Sequence, residues 1–288
     1  MKAPRVHASD RLFVAFLFMF AVFLVALFVA VGFALFRGAW PTLIANPVAH
    51  LAGERWVPAQ GWFGVAYFLY GTLISSFVGM VFASVVGVGT ALLLTQFAHT
   101  FAVKAIRALI DVMSVIPSVV YGVWGLFALA PWLRFMPAGL MAAGLILGVM
   151  ALPTLIVTVG KMMDSVPQEL VDGALALGAT RTEKVRIIIL PYARIGIIAA
   201  IFLCFGRALG EAVAVALVIG SAHGASRSWF APGNTLASLL AKQFFTADTP
   251  LLRSSLYEVG LLLAFVYTVF YIASKLLVWR VSRRVGAV

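Results

Sequence analysis

An arginine and a glutamate stand four positions apart in FGRALGEAVAV, residues 205–215, inside a stretch that otherwise reads as membrane interior. An ionised side chain near the bilayer centre costs about 2.5–3.5 kcal/mol even on lenient insertion scales, so something must offset Arg207 and Glu211. On a continuous helix two such residues share a face and can pair. One chemistry follows from the guanidinium, whose planar set of donors suits an oxyanion crossing the membrane. Glu211 would then orient Arg207 and accept a hydrogen bond from a protonated substrate oxygen. A pair that exchanges partners also lets the anion leave, as conduction requires. The other reading is structural, an ion pair locking its helix to a neighbour, with Gly206 and Gly210 giving a small-x-x-x-small face for close contact.

Little else in the chain carries chemistry. There is no G-x-x-x-x-G-K-S/T phosphate loop: the only Gly-Lys step is Gly160-Lys161, and Leu155 stands where the leading glycine belongs. The chain is expected not to hydrolyse ATP itself. His7, His50, His99 and His223 fall in separate terminal or loop segments without metal-ligand spacing. No histidine at membrane depth is available to activate a serine, which argues against an enzyme. Cys204 is the only cysteine, so no intrachain disulfide is possible.

The elements that must position Arg207 and Glu211 follow from composition. Of 288 residues, 63% are hydrophobic and 11% charged, against about 45–50% and about 25% in soluble domains. Mean hydropathy is +1.07. Runs long enough to cross a ~30 Å hydrocarbon layer as helices lie near 12–36, 69–95, 106–130, 138–160, 195–220 and 256–279. A β-barrel would show segments of about ten residues with alternating polarity instead. The expected fold is an all-α integral membrane protein of six transmembrane helices forming a single domain, residues 1–288. The first run is too long for a signal-peptide core and lacks a small-residue cleavage pattern, so it is expected to be retained. In this frame helix 5 starts near Gly196 and Arg207 lies about 16 Å deep.

A net charge of +11 would suggest nucleic acid in a soluble protein, but here it records orientation. With the N-terminus inside, fourteen of the 21 basic residues fall at cytoplasmic ends and loops, six fall outside, and only Arg207 remains within the membrane. Both termini are expected in the cytoplasm, and lipid rather than nucleic acid is the expected partner of this surface.

Between the spans, external segments are expected at 37–66, with Trp40, Trp56 and Trp62 at a membrane interface, and at 221–255, where Thr235–Phe245 reads as an amphipathic helix. Pro117 and Pro153 should kink helices 3 and 4, with Ser114 and Ser118 beside Pro117 able to satisfy freed backbone groups or to line a pathway. Asp111, four residues from Arg107, suits a local salt bridge. The polar segment KMMDSVPQELVDGALALGATRTEKVRIIILPYAR, residues 161–194, reads as a helix over 167–177, a glycine stop at Gly178 and a second short helix from Ala179 to Ile189 ended by Pro191.

That segment resembles the cytoplasmic signature of the membrane subunits of binding-protein-dependent ABC importers, E-A-A, three residues, G, nine residues, I-x-L-P. Gly178, Ile188, Leu190 and Pro191 align, and the E-A-A positions fall on Asp172, Gly173 and Ala174, two of them departures. Within that family the chain is similar to the PstC-type permeases of phosphate importers, through GTLISS (71–76), LIDVMSVIPSVVYG (109–122), PQELVDGALALGATR (167–181), GRALGEAVAV (206–215) and SSLYEVGL (254–261). The pattern usually continues G-E-T-M-A-V; here Ala212 and Val213 replace Thr and Met.

The resemblance implies a type I importer permease fold in an inner membrane, with Arg207 and Glu211 on the phosphate route. It implies that segment 163–190, through Glu169, Asp172, Gly173, Ala174, Gly178, Leu190 and Pro191, couples to an ATPase. The implied partners are a second permease subunit of PstA type, ATP-binding subunits of PstB type and an external phosphate-binding protein of PstS type. ATP and magnesium would be held by the ATP-binding subunits, leaving this chain without a cofactor. An ABC permease for molybdate, tungstate or sulfate, or an ATP-independent anion channel or carrier, stays open on the residues alone.

Overall fold

Residues 8–45, 52–97, 101–129, 138–222 and 228–285 are described by the computed structural model. Apolar sequence without water to serve its backbone must close its hydrogen bonds internally, and helices do so. The first is α1 (Ala8–Ala45). A small antiparallel hairpin, β1 (Trp56–Val57) and β2 (Trp62–Phe63), precedes α2 (Ala66–Leu92), which ends in a π turn over Leu93–Phe97. Then come α3 (Phe101–Val115) and α4 (Ser118–Trp124), the latter prolonged by a π turn over Gly125–Leu129. α5 (Leu140–Asp164) leads to α6 (Gln168–Ala176) and α7 (Arg181–Lys184). A π turn over Val185–Ile189 joins α7 to α8 (Leu190–Leu209), followed by α9 (Val213–Val218), α10 (Leu236–Gln243) and α11 (Pro250–Val285).

Among the described residues five helices are long and apolar enough to cross a membrane, and α3 with α4 meets the same test as a pair bent by 105°, the geometry of a broken sixth span or a re-entrant loop. The bend follows from Pro117, which has no N–H to give to the carbonyl of Met113 one turn back. The Tyr121 hydroxyl donates to that oxygen instead, at 2.7 Å. Ser114, expected to help here, donates to Asp111 O at 2.7 Å. Pro153 sits inside α5 without breaking it.

Three apolar clusters stack along the bundle. One joins the ends of α2 and α5 to α3, α6 and the first turns of α8, with Leu155, Val159, Met163, Val171 and Ile189 buried. The middle one joins Tyr121 of α4, Ile146 and Leu147 of α5, Ala208 of α8 and Ala214, Val215 and Val218 of α9. The third packs the β hairpin, the start of α2, α10 and the start of α11 around Trp56 and Phe68. Trp56, expected at an interface, is therefore a core residue, 2% exposed and donating to Gln243 Oε1 at 3.0 Å. Trp40 and Trp62 are exposed as expected.

α2 and α5 cross closely because glycines meet glycines. A Cβ on Gly79 would come within 2.7 Å of Gly144 O, and one on Gly148 within 2.8 Å of Gly79 O. The small-x-x-x-small contact expected at Gly206 and Gly210 is thus strongest elsewhere, at Gly144 and Gly148. Residues 12–34 of α1 are exposed throughout, which suits a lipid-facing helix. α1 continues through Pro41 to Ala45, so the segment expected from residue 37 to be a loop begins as helix, its end held by Ser254 Oγ donating to Gly38 O at 2.8 Å.

Candidate functional site

Helix 5 of the sequence reading is not one helix. α8 ends at Leu209, the N–H groups of Gly210 and Glu211 fold back to Arg207 O and Ala208 O, both at 3.3 Å, and α9 begins at Val213. Glycine is a poor helix former, and Glu211 has a competing role. Its Oε1 accepts the backbone N–H of Ala214 at 3.3 Å, serving one of the orphan donors at the start of α9. Arg207 lies in the last turn of α8, near the unsatisfied carbonyls where a cation is favoured. Each charge is held by a helix end of opposite sign.

The expected pairing on a shared helix face is therefore replaced. Among the described residues Arg207 makes no ion pair, and the Glu211 carboxylate is turned to α9. Arg207 is exposed on the surface of this chain, whereas Glu211 is half-buried. The charge of Arg207 reaches Tyr121, which the bend at Pro117 brings beside α9. The close approach of α4 and α9 depends on Gly122, where a Cβ would lie 2.8 Å from Leu217 Cδ1 and 2.9 Å from Ala214 Cα. Sequence reasoning missed Tyr121 and Gly122 as positioning residues; the signal available was the matched stretch ending in VVYG.

At the other end of α8 the polar segment forms a knob. Pro167 precedes α6, and the helix stops as expected, with Gly178 at φ +85°. Ala179 N–H reaches Ala174 O at 3.1 Å and Gly178 N–H reaches Leu175 O at 3.0 Å, a Schellman closure. Thr180 and Glu183 form a capping box at α7. Glu169, Asp172, Gly173 and Gly178 are all exposed on this knob, together with Leu170, Leu175 and Leu177, the last 91% exposed. Ala174 is half-buried, and nothing lies within 4 Å of a Cβ placed on Gly173, so the alanine usual there would be accommodated.

Leu190 and Pro191 lie off the knob, in the first turn of α8. Pro191 does not end the preceding helix. The π turn shifts the register, Leu190 N–H bonding Val185 O, and absorbs the proline so that helix runs without interruption from Arg181 to Leu209. Nearby, Arg107 donates to Leu94 O at 3.1 Å rather than to Asp111, and both line a cavity of about 270 Å³ with Lys161 and Asp164.

Residues 83–286 match the family of binding-protein-dependent transport system inner membrane components. The chain belongs to this family. Among its relatives, the phosphate transport system permease protein PstC of Mesorhizobium japonicum is 34% identical, the match covering 98% of this chain and 94% of that one. The Pasteurella multocida protein of the same name is 32% identical over 97% and 95%. Of solved structures, an inward-facing MetNI methionine ABC transporter superposes with a TM-score of 0.62 over 75% of this chain and 95% of that chain, at 21% identity. At that identity the likeness speaks for the fold alone, and the fold is that of an ABC importer permease with its spans in an inner membrane.

Proposed function

We propose that the chain is a transmembrane permease subunit of an ATP-driven, binding-protein-dependent importer of inorganic phosphate. The observation that carries the reading is Arg207, a guanidinium in the membrane-spanning region, exposed at a helix break and without a carboxylate partner among the described residues. An always-charged planar donor set matches phosphate geometry. The full-length similarity to phosphate permeases supports the same substrate.

In this reading Arg207 receives the anion, and Glu211 keeps the break in place and tunes the charge beside it. The exposed leucines and acids of the knob dock an ATP-binding subunit of PstB type, and Gly178 sets the angle at which they are presented. A second permease of PstA type completes the route, a PstS-type protein delivers phosphate from outside, and ATP and magnesium stay in the ATP-binding subunits. Both termini face the cytoplasm, as the basic residues at the spans' ends require.

The test is uptake of radiolabelled phosphate by cells carrying the whole transporter, with this chain intact or carrying Arg207→Gln, at equal membrane levels. Loss of one hydrogen-bonded charge, about 1.5–3 kcal/mol, predicts a fall in uptake of at least tenfold. Equal uptake by the two forms would remove Arg207 from the route. Competition by molybdate, tungstate or sulfate that exceeds competition by unlabelled phosphate would assign another oxyanion.

A further inference from the structure

At the end of α9 remote from Arg207 the chain buries polar groups where an apolar bundle has little reason to hold them. Thr235, Ser238 and Lys242 form one stripe of α10, at spacings of three and four. On an amphipathic helix at the membrane surface this stripe would face water. Here Thr235 is 3% exposed and Ser238 0%, and the neighbouring Asn234 is 1% exposed. The stripe is turned inward, and Thr72 of α2 accepts the N–H of Leu236 at 2.9 Å.

Lys242 stands at the rim of this cluster. Its ammonium donates to Ser221 Oγ at 2.6 Å and to Asn234 Oδ1 at 3.1 Å, leaving a third N–H. Both acceptors are neutral, and among the described residues no carboxylate pairs with this half-buried cation. Ser221 is also the one non-glycine residue with positive φ among those described, +58°, and it follows Gly220 at +84°. Such backbone is retained where surrounding contacts hold it, and it clusters at ligand sites. Asn234 Nδ2 donates to Ala222 O at 2.9 Å and Gly233 N–H donates to Ile219 O at 2.9 Å, fixing the turn against α10.

We propose that Lys242, with the hydroxyl of Ser221, forms an outer station for a tetrahedral oxyanion, separate from Arg207 and reached before it. The inference rests on the phosphate reading for its substrate but on its own geometry for its existence. An arriving oxyanion takes the free N–H of Lys242 and the Ser221 hydroxyl, and supplies the counter-charge that the cluster lacks. Burial already pushes the Lys242 amine down to about 8, so at pH 7 it is mostly charged yet reactive enough to be read chemically. α9 then connects two cationic stations, one at each end.

The whole transporter in proteoliposomes supplies the test, in two arms. In the first, Lys242 acetylation by an external acylating reagent at pH 8 is followed by peptide mass spectrometry, with inorganic phosphate or chloride at equal ionic strength. Phosphate should slow acylation at Lys242 at least threefold while chloride does not; equal rates would overturn the station. In the second arm, Lys242→Gln should raise KM for phosphate uptake at least fivefold with kcat nearly kept, and Lys242→Arg should restore KM. Unchanged KM in Lys242→Gln overturns the inference while leaving Arg207 and the phosphate reading untouched. Protection of Lys242 by phosphate in a transporter that moves no phosphate would keep the station and sink the transport reading. If Lys242→Gln fails to assemble, the acylation arm on the intact protein decides.

Discussion

Gly122→Ala is the smallest perturbation that separates the geometry of the site from its charges. A methyl group at this position would lie 2.8 Å from Leu217 Cδ1, 2.9 Å from Ala214 Cα and 3.1 Å from Ala214 O. Carbon atoms in contact prefer about 3.5–4.0 Å, so α4 and α9 must part by roughly 0.7 Å or more. Leu217 can rotate away, but the Ala214 backbone cannot. Overpacking of this kind costs about 1–3 kcal/mol, and the gain of alanine over glycine in a helix returns up to about 1 kcal/mol. Folding should therefore survive. The site should not, because α9 carries the N–H that holds Glu211, and a displacement of about 1 Å can cost on the order of a hundredfold in rate. Gly89→Ala is the control, since nothing lies within 4 Å of a Cβ there. Phosphate uptake at matched membrane levels should fall at least tenfold in Gly122→Ala and stay unchanged in Gly89→Ala. Full uptake by Gly122→Ala would refute the claim that the contact of α4 with α9 sets the site.

Three further outcomes are expected. Gly178→Ala forces a Cβ into left-handed backbone at about 1–2 kcal/mol, and Gly178→Pro should leave the chain inserted but unable to retain its ATP-binding subunit on copurification; normal retention by the proline variant would contradict this. The Thr180 backbone N–H and hydroxyl, both 2.8 Å from Glu183 Oε2, hold that carboxyl below its ordinary value of 4.5. A depressed carboxyl pKa contributes stability that is present above 4.5 and is lost as pH falls through the folded value, so hydrogen-exchange protection of residues 181–186 should drop in acid, and should become insensitive to pH there in Glu183→Gln. Finally, Arg207→Met and Glu211→Gln should destabilise the purified complex additively, with a coupling below about 0.5 kcal/mol; a coupling above about 1 kcal/mol would restore the ion pair that the geometry lacks.

Hydrophobic runs located every span, because length and apolarity are summed over some twenty residues and no single side chain can overturn them. The stop at Gly178 and the start of a helix at Thr235 were legible for a related reason: both depend on residues near each other in sequence. What sequence could not supply were contacts across the bundle. Nothing local says that Tyr121 will serve the carbonyl freed by Pro117, that Trp56 will bond Gln243, or that the polar stripe of α10 will turn inward. The break at Gly210 sits between these cases. Its glycine was visible, but the spacing of Arg207 and Glu211 favoured a shared helix face, and the capping of Ala214 by Glu211 overrode it. Pro191 failed as a stop signal because a π turn, invisible to pattern reading, changed the register beneath it.

The break alters what the two charges can do. Had Arg207 and Glu211 paired on one helix, an incoming anion would have had to displace a carboxylate first. Held by helix ends, they present different balances. The Glu211 carboxylate receives a backbone N–H at 3.3 Å, a long bond worth about 0.5–1.5 kcal/mol, which offsets part of the about 2.5–3.5 kcal/mol that an ion costs at membrane depth. Arg207 receives only the field of the α8 terminus, typically about 0.3–1 kcal/mol. The arginine is thus the undercompensated member, and it is also the exposed one. On the proposed route a passing oxyanion would supply the difference for as long as it stays, and because the deficit is a few kcal/mol rather than tens, the anion could also leave. The same fold that stabilises the glutamate leaves the arginine open to an anion, as the proposed route needs.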